Sequence, residues 1–588
     1  MSTKPNKKNQ ESESLQEQIV KLEKQLENFK HSNEHFLKNK LFLHYDIKEP
    51  EKVVVDCETK LPVLAEVDKK KIQKGNESDP THLLIEGDNY HALSVLNYTH
   101  AGKIDLIYID PPYNTGNRDW KYNNDYVDAE DSFRHSKWLS FMASRLRLAK
   151  NLMKDDGLIV CAIDHYELFY LGALMDTIFG ESNRLGIVTI RSTPQGRGKK
   201  HIDPVSEYSL VYAKNSAIIA GLKLLDNSRV DAYGNLKRTG TNSRREDRPK
   251  RFFPMLARGN KVFAISRHEY EQIFIKNSSF DDKYLEKLRK KYENEGYLFI
   301  LPETRSGEKL VWQREFERVR REVSTYICEN GNIKVPLAQE RTPTTLWVDT
   351  KYSNPEHGAN LIKDIDVEFN YAKSVFTVQD FIYLHPNKSA IVLDFFAGSG
   401  TTGHALLKLN AEDEGNRQFI LCTNNENKIA EDVTYPRIKN VIDGYSDTAG
   451  IPASLRYFKT DFVEKKGSVS QLKIDLTRHC AEMLCVKENI FEAVKLKKQA
   501  KNYKFFKNGN KYLGVFFDFF TDAEFAGFIK ELNTLPKEAE KVVYVFVLDG
   551  SAGILADEFS GVANCEVKEI PQKILDIYKQ LAREVTRK

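Results

Sequence analysis

"IVLDFFAGSGTTGHALL", from Ile391 to Leu407, decides the fold. Ile391, Val392 and Leu393 form a short apolar run that ends on Asp394. A loop of small residues follows, Ala397, Gly398, Ser399, Gly400, Thr401 and Thr402, and a helix begins near Gly403. A strand, a glycine turn and a helix in that order are the opening of an α/β unit with a parallel sheet. Glycines let the backbone approach a ligand closely, and the first N–H groups of a helix have no partner within it. No Gly-Lys-Ser/Thr follows, so this is not a triphosphate loop. It suits a nucleoside or amino-acid cofactor better. The next strand, "RQFILCTNNE", ends at Glu426, where an acid is placed to bind ribose hydroxyls.

The same grammar appears earlier, in "LIYIDPPYNTGNRDWKYNNDY" (106–126). An apolar strand ends on Asp110, and Pro111, Pro112 and Tyr113 follow. Each proline fixes φ and removes a donor, so the loop is stiff. Asp110 offers an acceptor carboxylate, Pro111 an acceptor carbonyl and Tyr113 a flat face. Two acceptors beside a ring suit a planar ligand carrying an NH2 group, such as a nucleobase. An ordinary strand-to-loop turn with a structural tyrosine is the plainer alternative.

Asp110-Pro111-Pro112-Tyr113 together with Phe396-Ala397-Gly398-Ser399-Gly400 resembles the amino-directed DNA methyltransferases. Asp110 precedes Asp394 by 284 residues (394 − 110), and that order resembles the β group of adenine-N6 enzymes, with a target-recognition region between the motifs. "HLLIEGDNYHALSVL" (82–96), "LWVDTKYSNPEHGANLIKDI" (346–365) and "NNENKIAEDVTYPRIKNVI" (424–442) look like the modification subunits of type III restriction–modification systems. The likeness covers roughly residues 45–500.

This resemblance implies a Rossmann-like, S-adenosyl-L-methionine-dependent sheet with an inserted target-recognition domain. Asp110 and the Pro111 carbonyl would hold the target amine, Pro112 would stiffen the loop, and Tyr113 would stack on the base. Asp394, Phe395, Ala397, Gly398, Ser399, Gly400 and Thr401 would line or edge the cofactor pocket, and Glu426 would take the ribose. Lys373 matches a lysine that contacts the cofactor's carboxylate in relatives. Many of these have Pro after it where this chain has Ser374. Asp88 would also reach the cofactor. Asp at the first motif position goes with adenine N6, and Ser there often marks cytosine N4. Partners implied are duplex DNA, a helicase–nuclease restriction subunit and a second copy of the chain. No Walker lysine loop or clear PD…ExK pattern appears, so cleavage would need another polypeptide.

Net charge is only +4, so overall charge does not argue for nucleic acid. Local charge does. Residues 236–258 hold eight Lys/Arg against two acids, and residues 191–201 hold four and no acid. Both lie between the motifs, where phosphate contacts belong. The candidates are Arg197, Lys199, Lys200, Arg244, Arg245, Arg248 and Arg251.

The chain divides into five expected segments. Residues 1–45 are a polar tail and an amphipathic helix, with Leu15, Leu22, Phe29 and Phe36 at d and Ile19, Leu26 and Asn33 at a. A short parallel coil and a helix packed on its own body both fit. Residues 46–215 are the first half of the methyltransferase domain, opening with a charged connector. Residues 216–345 are basic and irregular with some helix, the target-recognition insert. Residues 346–445 are the second half. Residues 446–588 are a connector and a small α/β domain. No apolar run is long enough for a membrane span, the N-terminus lacks a signal-peptide core, and the seven cysteines show no CxxC pair. A reduced cytoplasm and no metal are expected.

Overall fold

The computed structural model describes residues 51–586 apart from 77–78, 123–124, 196–201, 220, 224, 227–232, 277–278, 305, 337–339, 342, 370, 497–500, 518–521 and 548–555. The heptad segment at 15–36 lies outside the described residues. The chain forms two compact units: residues 222–343, and the sequence on either side of them.

The larger unit is built around one main sheet. Its elements are, in chain order, β1 (Lys60–Glu66), β2 (Thr81–Glu86), α1 (Asn89–Thr99), β3 (Ile104–Ile109), α2 (Arg134–Leu152), β4 (Met153–Ile163), α3 (Leu168–Phe179), β5 (Arg184–Ile190) and β6 (Glu207–Ala213). After the smaller unit come β7 (Leu346–Trp347), α4 (Val375–Leu384), β8 (Ile391–Asp394), α5 (Thr401–Asp413), β9 (Gln418–Thr423), α6 (Tyr435–Asp443) and β10 (Ser454–Glu464). The strands lie in the order β1, β10, β2, β9, β8, β3, β4, β6, β5, β7. The six from β10 to β4 are mutually parallel. β6 runs against both its neighbours. Strands covered on both faces must be apolar throughout, and all six residues of β3 are buried. This is the α/β methyltransferase-like sheet expected from the sequence.

Chain connectivity locates the functional edge. β3 continues through α2 to β4 on one side, and β8 continues through α5 to β9 on the other. β8 and β3 are neighbours, with Val392 opposite Leu106 and Leu393 opposite Ile107. The two connections therefore diverge between them, and a crevice opens at such a switch point beyond the strand ends. Asp110 and Asp394 stand at that edge. The antiparallel β6 starts there rather than ending there, with Glu207 opposite Ile190 and Tyr208 opposite Ile163.

The structure differs from the sequence reading at both ends of the described chain. Residues 60–66, read within a charged connector, are the edge strand β1, paired along its length with β10. Residues 454–464, read as connector, are β10, which pairs in parallel with β2. Charges disguised β10: its Arg456 is paired with Glu66, and its Lys459 with Glu86 and Glu431. The last segment does hold a five-stranded sheet, but it is not a detached tail. Helices 481–488 and 572–586 pack on α1. Leu513, Val515, Ile574 and Leu581 join one core with Leu93, Leu96 and Ile107. Every residue of α1 is buried as a result. Its polar groups turn to backbone carbonyls, as Asn97 Nδ2 does to Leu93 (2.8 Å) and Leu148 (3.2 Å).

Residues 222–343 are more regular than their composition suggests. Six short antiparallel strands form a sheet, with helices at 267–272, 282–294 and 316–322. Its strands run three to five residues, too short for alternation to show in sequence. Phe252, Phe253, Met255 and Trp312 lie in its core, and Trp312 Nε1 donates to the Phe253 carbonyl at 2.7 Å.

Among the described residues no helix is long and apolar enough to cross a membrane. All seven cysteines are free thiols.

Candidate active site

The loop after β3 is fixed from both sides. Trp138, fully buried on α2, donates its indole N–H to the Pro112 carbonyl at 2.7 Å. Asn114 takes a left-handed conformation (φ 55°), which Asn tolerates better than most residues. Its buried side chain donates to Glu167 Oε1 at 2.5 Å and accepts from Trp120 Nε1 at 3.0 Å. Glu167 also meets His135 Nδ1, and burial pushes its carboxyl up to about 8. Asp110 and Tyr113 are thus presented by a loop with little freedom.

Lys373 and Glu207 face Asp110, and Asn354 backs Glu207. The Lys373 ammonium lies 3.4 Å from Asp110 Oδ1 and 2.5 Å from Glu207 Oε2. It also donates to the Tyr113 hydroxyl and sits 4.5 Å from the centre of that ring. Asn354 Nδ2 donates to Glu207 Oε1 at 3.1 Å, while its Oδ1 accepts from the Ser374 backbone N–H at 2.9 Å. Burial pushes the Asp110 carboxyl up, and Lys373 pulls it down. Burial works against the Lys373 charge, but the two carboxylates outweigh it and hold the ammonium above its usual range. Lys373, expected at the cofactor carboxylate, is committed here to the Asp110 cluster.

The glycine loop after β8 is held by different means. Asp394 accepts from the Phe396 backbone N–H (2.9 Å) and from Thr402 Oγ1 (2.5 Å). Among the described residues no cation sits beside it, and burial raises its pKa to about 7. Thr434 Oγ1 donates to the Gly398 carbonyl at 2.6 Å. Arg437, fully buried on α6, donates through Nη1 to the Ser399 carbonyl (3.3 Å), Ser399 Oγ (3.0 Å) and Thr401 Oγ1 (2.8 Å). Asn89 Nδ2 donates to the Phe395 carbonyl at 3.0 Å.

The expected site residues fall unevenly. Phe395 is fully buried in the core, and its neighbour Phe396 is the one partly exposed at the loop, 5.8 Å from the Phe141 ring. Asp88 caps α1 through the Tyr90 N–H (2.7 Å) and meets Arg145 at 3.3 Å, so it serves the helix as well as the edge. Glu426 lies beyond β9, about half exposed, 3.7 Å from Lys121. Sequence reading missed Trp138, Glu207, Asn354 and Arg437, and it named Phe396 in the motif but gave the lining role to Phe395.

The glycine loop fits a cofactor with an adenosine and an amino-acid part, such as S-adenosylmethionine. Gly398 has φ +47°, and a Cβ there would meet only the Phe396 carbonyl, at 3.8 Å, so the loop is open on that side. Gly400 has φ +78°, a conformation L side chains rarely adopt. The following N-terminus of α5 begins at Thr401 without a lysine, which fits a ligand without a triphosphate.

Of the basic candidates, Arg197, Lys199 and Lys200 lie outside the described residues. Arg245 stacks over Phe280 (4.4 Å) and pairs with Asp282 (3.0 Å). Arg251 donates to the Gln313 carbonyl (2.9 Å) and pairs with Glu315 (2.9 Å). These two stabilise residues 222–343 internally. Arg244 is largely exposed, with Glu308 at 3.2 Å, and Arg248 is partly exposed at the start of the turn 249–251.

Residues 104–433 match the model of a DNA methylase family. The chain is 29% identical over 478 residues to the type III restriction-modification enzyme EcoPI Mod subunit of Escherichia phage P1, covering 71% of this chain and 70% of that protein. It is 31% identical over 395 residues to the type II methyltransferase M.KpnI of Klebsiella pneumoniae, covering 61% of this chain and 88% of that one. Against the type III EcoP15I Mod subunit of Escherichia coli the identity is 28% over 401 residues, 61% of this chain and 60% of that protein. The matched segment contains both strand-end loops, Glu207, Lys373 and Glu426. The resemblance read from the two motifs is borne out.

Proposed function

The chain belongs to the DNA methylase family, and from that premise we propose that it methylates adenine N6 in duplex DNA as the modification and recognition subunit of a type III system. The observation that carries this reading is the placing of Asp110 and the glycine loop at neighbouring strand ends on one switch point.

The chemistry follows from the two loops. An adenine amine is a poor nucleophile because its lone pair is delocalised into the ring. Asp110 and the Pro111 carbonyl accept its two N–H bonds and favour a pyramidal nitrogen with a localised lone pair. Tyr113 supplies a face for the base, which must leave the duplex stack to be reached. S-adenosylmethionine, when bound, supplies an electrophilic methyl group. Asp394, Gly398, Ser399, Gly400 and Thr401 shape its cradle, Phe396 flanks it, and Glu426 accepts from ribose. The protein contributes positioning and a fixed electrostatic environment.

Of the four arginines read as DNA contacts in 222–343, Arg244 and Arg248 are the two proposed for phosphate contact, since Arg245 and Arg251 are engaged within the unit. The protein works in the cytoplasm with DNA, as a dimer, and joins a restriction subunit for cleavage. Similarity to a type II methyltransferase favours a second reading, an adenine methyltransferase working without a nuclease partner.

Incubation with tritiated S-adenosylmethionine and mixed-sequence duplex DNA, followed by nucleoside separation, tests the proposal. Label on N6-methyladenine is expected. Label on N4-methylcytosine would overturn the base assignment. Affinity purification from the native host separates the type III and solitary readings.

A further inference from the structure

The cluster around Asp110 contains more charge than an amine clamp needs. A clamp needs one carboxylate that is ionised and has a free acceptor oxygen. Burial works against ionisation, and a cation in contact would restore it but occupy the oxygen. The structure resolves this conflict with a second acid. Lys373 Nζ lies 2.5 Å from Glu207 and 3.4 Å from Asp110 Oδ1, and Oδ1 has no hydrogen-bond partner although it is buried. The ammonium stabilises the charge on Asp110 through a long 3.4 Å contact, while its short contact is to Glu207.

We infer that Glu207, fixed by Asn354, is a positioning residue that holds the Lys373 ammonium back from Asp110, leaving a charged, unoccupied acceptor for the substrate amine. The inference rests on the methyltransferase reading above and deepens it. Glu207 touches neither substrate nor cofactor in this account; it acts through Lys373. Its location follows from topology. It opens the antiparallel β6, so the start of that strand stands at the edge where the parallel strands end. Asn354 ties Glu207 to the backbone of Ser374, the residue after Lys373, so acid and lysine move as one piece. The titratable groups that face Asp110 are Lys373, Glu207, Tyr108, Tyr113, Cys161 and, across the switch point, Asp394. Tyr108, Tyr113 and Cys161 are held neutral by burial, which leaves Glu207 as the counter-charge that can compete for Lys373.

Four variants of the full chain test this: Glu207→Gln, Glu207→Asp, Lys373→Met and the double Glu207→Gln/Lys373→Met. Glu207→Gln frees Lys373 to close on Asp110. Its kcat is expected to fall on the order of 10–100-fold, with cofactor Kd changed by less than about 3-fold. The acid limb of its kcat profile moves to lower pH, because Asp110 loses a neighbouring anion and gains a closer cation. In Lys373→Met the limb moves the other way. Glu207→Asp recovers most of the rate, and the double variant is no slower than Lys373→Met alone. A purely structural role for Glu207 would lower the rate without moving the limb, and would add to the lysine variant; either result overturns the inference. A crystal structure of Glu207→Gln reads the same claim without activity. Lys373 Nζ is expected to close to about 2.7–2.9 Å from Asp110, and an ammonium still standing off at 3.4 Å would overturn it. A wild-type protein that transfers no methyl group while Lys373 moves as expected would refute the methyltransferase reading and leave the positioning role intact.

Discussion

Asp110 and Asp394 end neighbouring parallel strands, yet their surroundings are opposite. Asp110 faces a lysine, a second acid and a tyrosine, and one of its oxygens has no hydrogen-bond partner. Asp394 faces no cation among the described residues, and its two oxygens are taken by a backbone N–H and a threonine hydroxyl. We read the first as an acceptor held ready for a ligand. The second is a clasp that closes its own loop. The loops differ in the same way. Two prolines, Trp138 and Asn114 stiffen the first, while the second is glycine-rich and held through Arg437 and Thr434. Position at a strand end therefore does not assign a carboxylate its role; its neighbours do.

The strongest way to break this comparison is to exchange the effects. Asp110→Ala is expected to lower methyl transfer by about 10³-fold or more while leaving cofactor affinity within about 3-fold, since it removes the contact proposed for the reacting amine. Single-turnover transfer and equilibrium cofactor binding check this. Arg437→Met sits on the other side of the comparison. It removes the donor to Ser399 and Thr401 and is expected to weaken cofactor binding on the order of 10-fold, with kcat at saturating cofactor little changed. A loss confined to kcat would contradict that division of labour.

Trp138→Phe sharpens the comparison by loosening only the first loop. The loss of the indole donor leaves the Pro112 carbonyl without that partner and is expected to destabilise by about 1–2 kcal/mol. Denaturant melts check the stability, and cofactor binding by this variant should match wild type. The remaining test concerns Asp394. Its pKa is raised from 3.8 to about 7, so the stability it contributes is complete below pH 3.8 and is lost as pH rises through 7. Asp394→Asn does not ionise. The melting temperature of wild type relative to this variant is therefore expected to fall as pH rises from about 4 to 7. A difference that stays flat across that range would show that Asp394 is not buried as described.

The comparison also explains what the sequence could reveal. Both loops were legible because each is local: strand, acid and turn chemistry lie within a dozen residues. Lys373 was found by its motif, but its partners were not. Glu207 lies 166 residues away and Asp110 more than 200, and only the sheet brings them together. A signal for Glu207 did exist. An acid opening the apolar run "EYSLVYA" mirrors Asp110 closing "LIYI", as an antiparallel strand at the same edge requires. Arg437 left one too, since it shares the buried face of α6 with Ile438 and Val441, where a charge is unexpected. Arg245 and Arg251 looked like a DNA-contacting cluster because composition does not reveal that an arginine is stacked and paired within its own unit. The packing of the C-terminal segment on α1 was not legible because α1 is far away in sequence and its polar residues hide that it is buried all round.

The most direct test of the central claim is to measure cofactor binding and methyl transfer side by side for wild type and Asp110→Ala. The account predicts equal affinity for S-adenosylmethionine, N6-methyladenine from wild type and none from the variant. Transfer by Asp110→Ala at the wild-type rate, with the cofactor bound equally well, would contradict it.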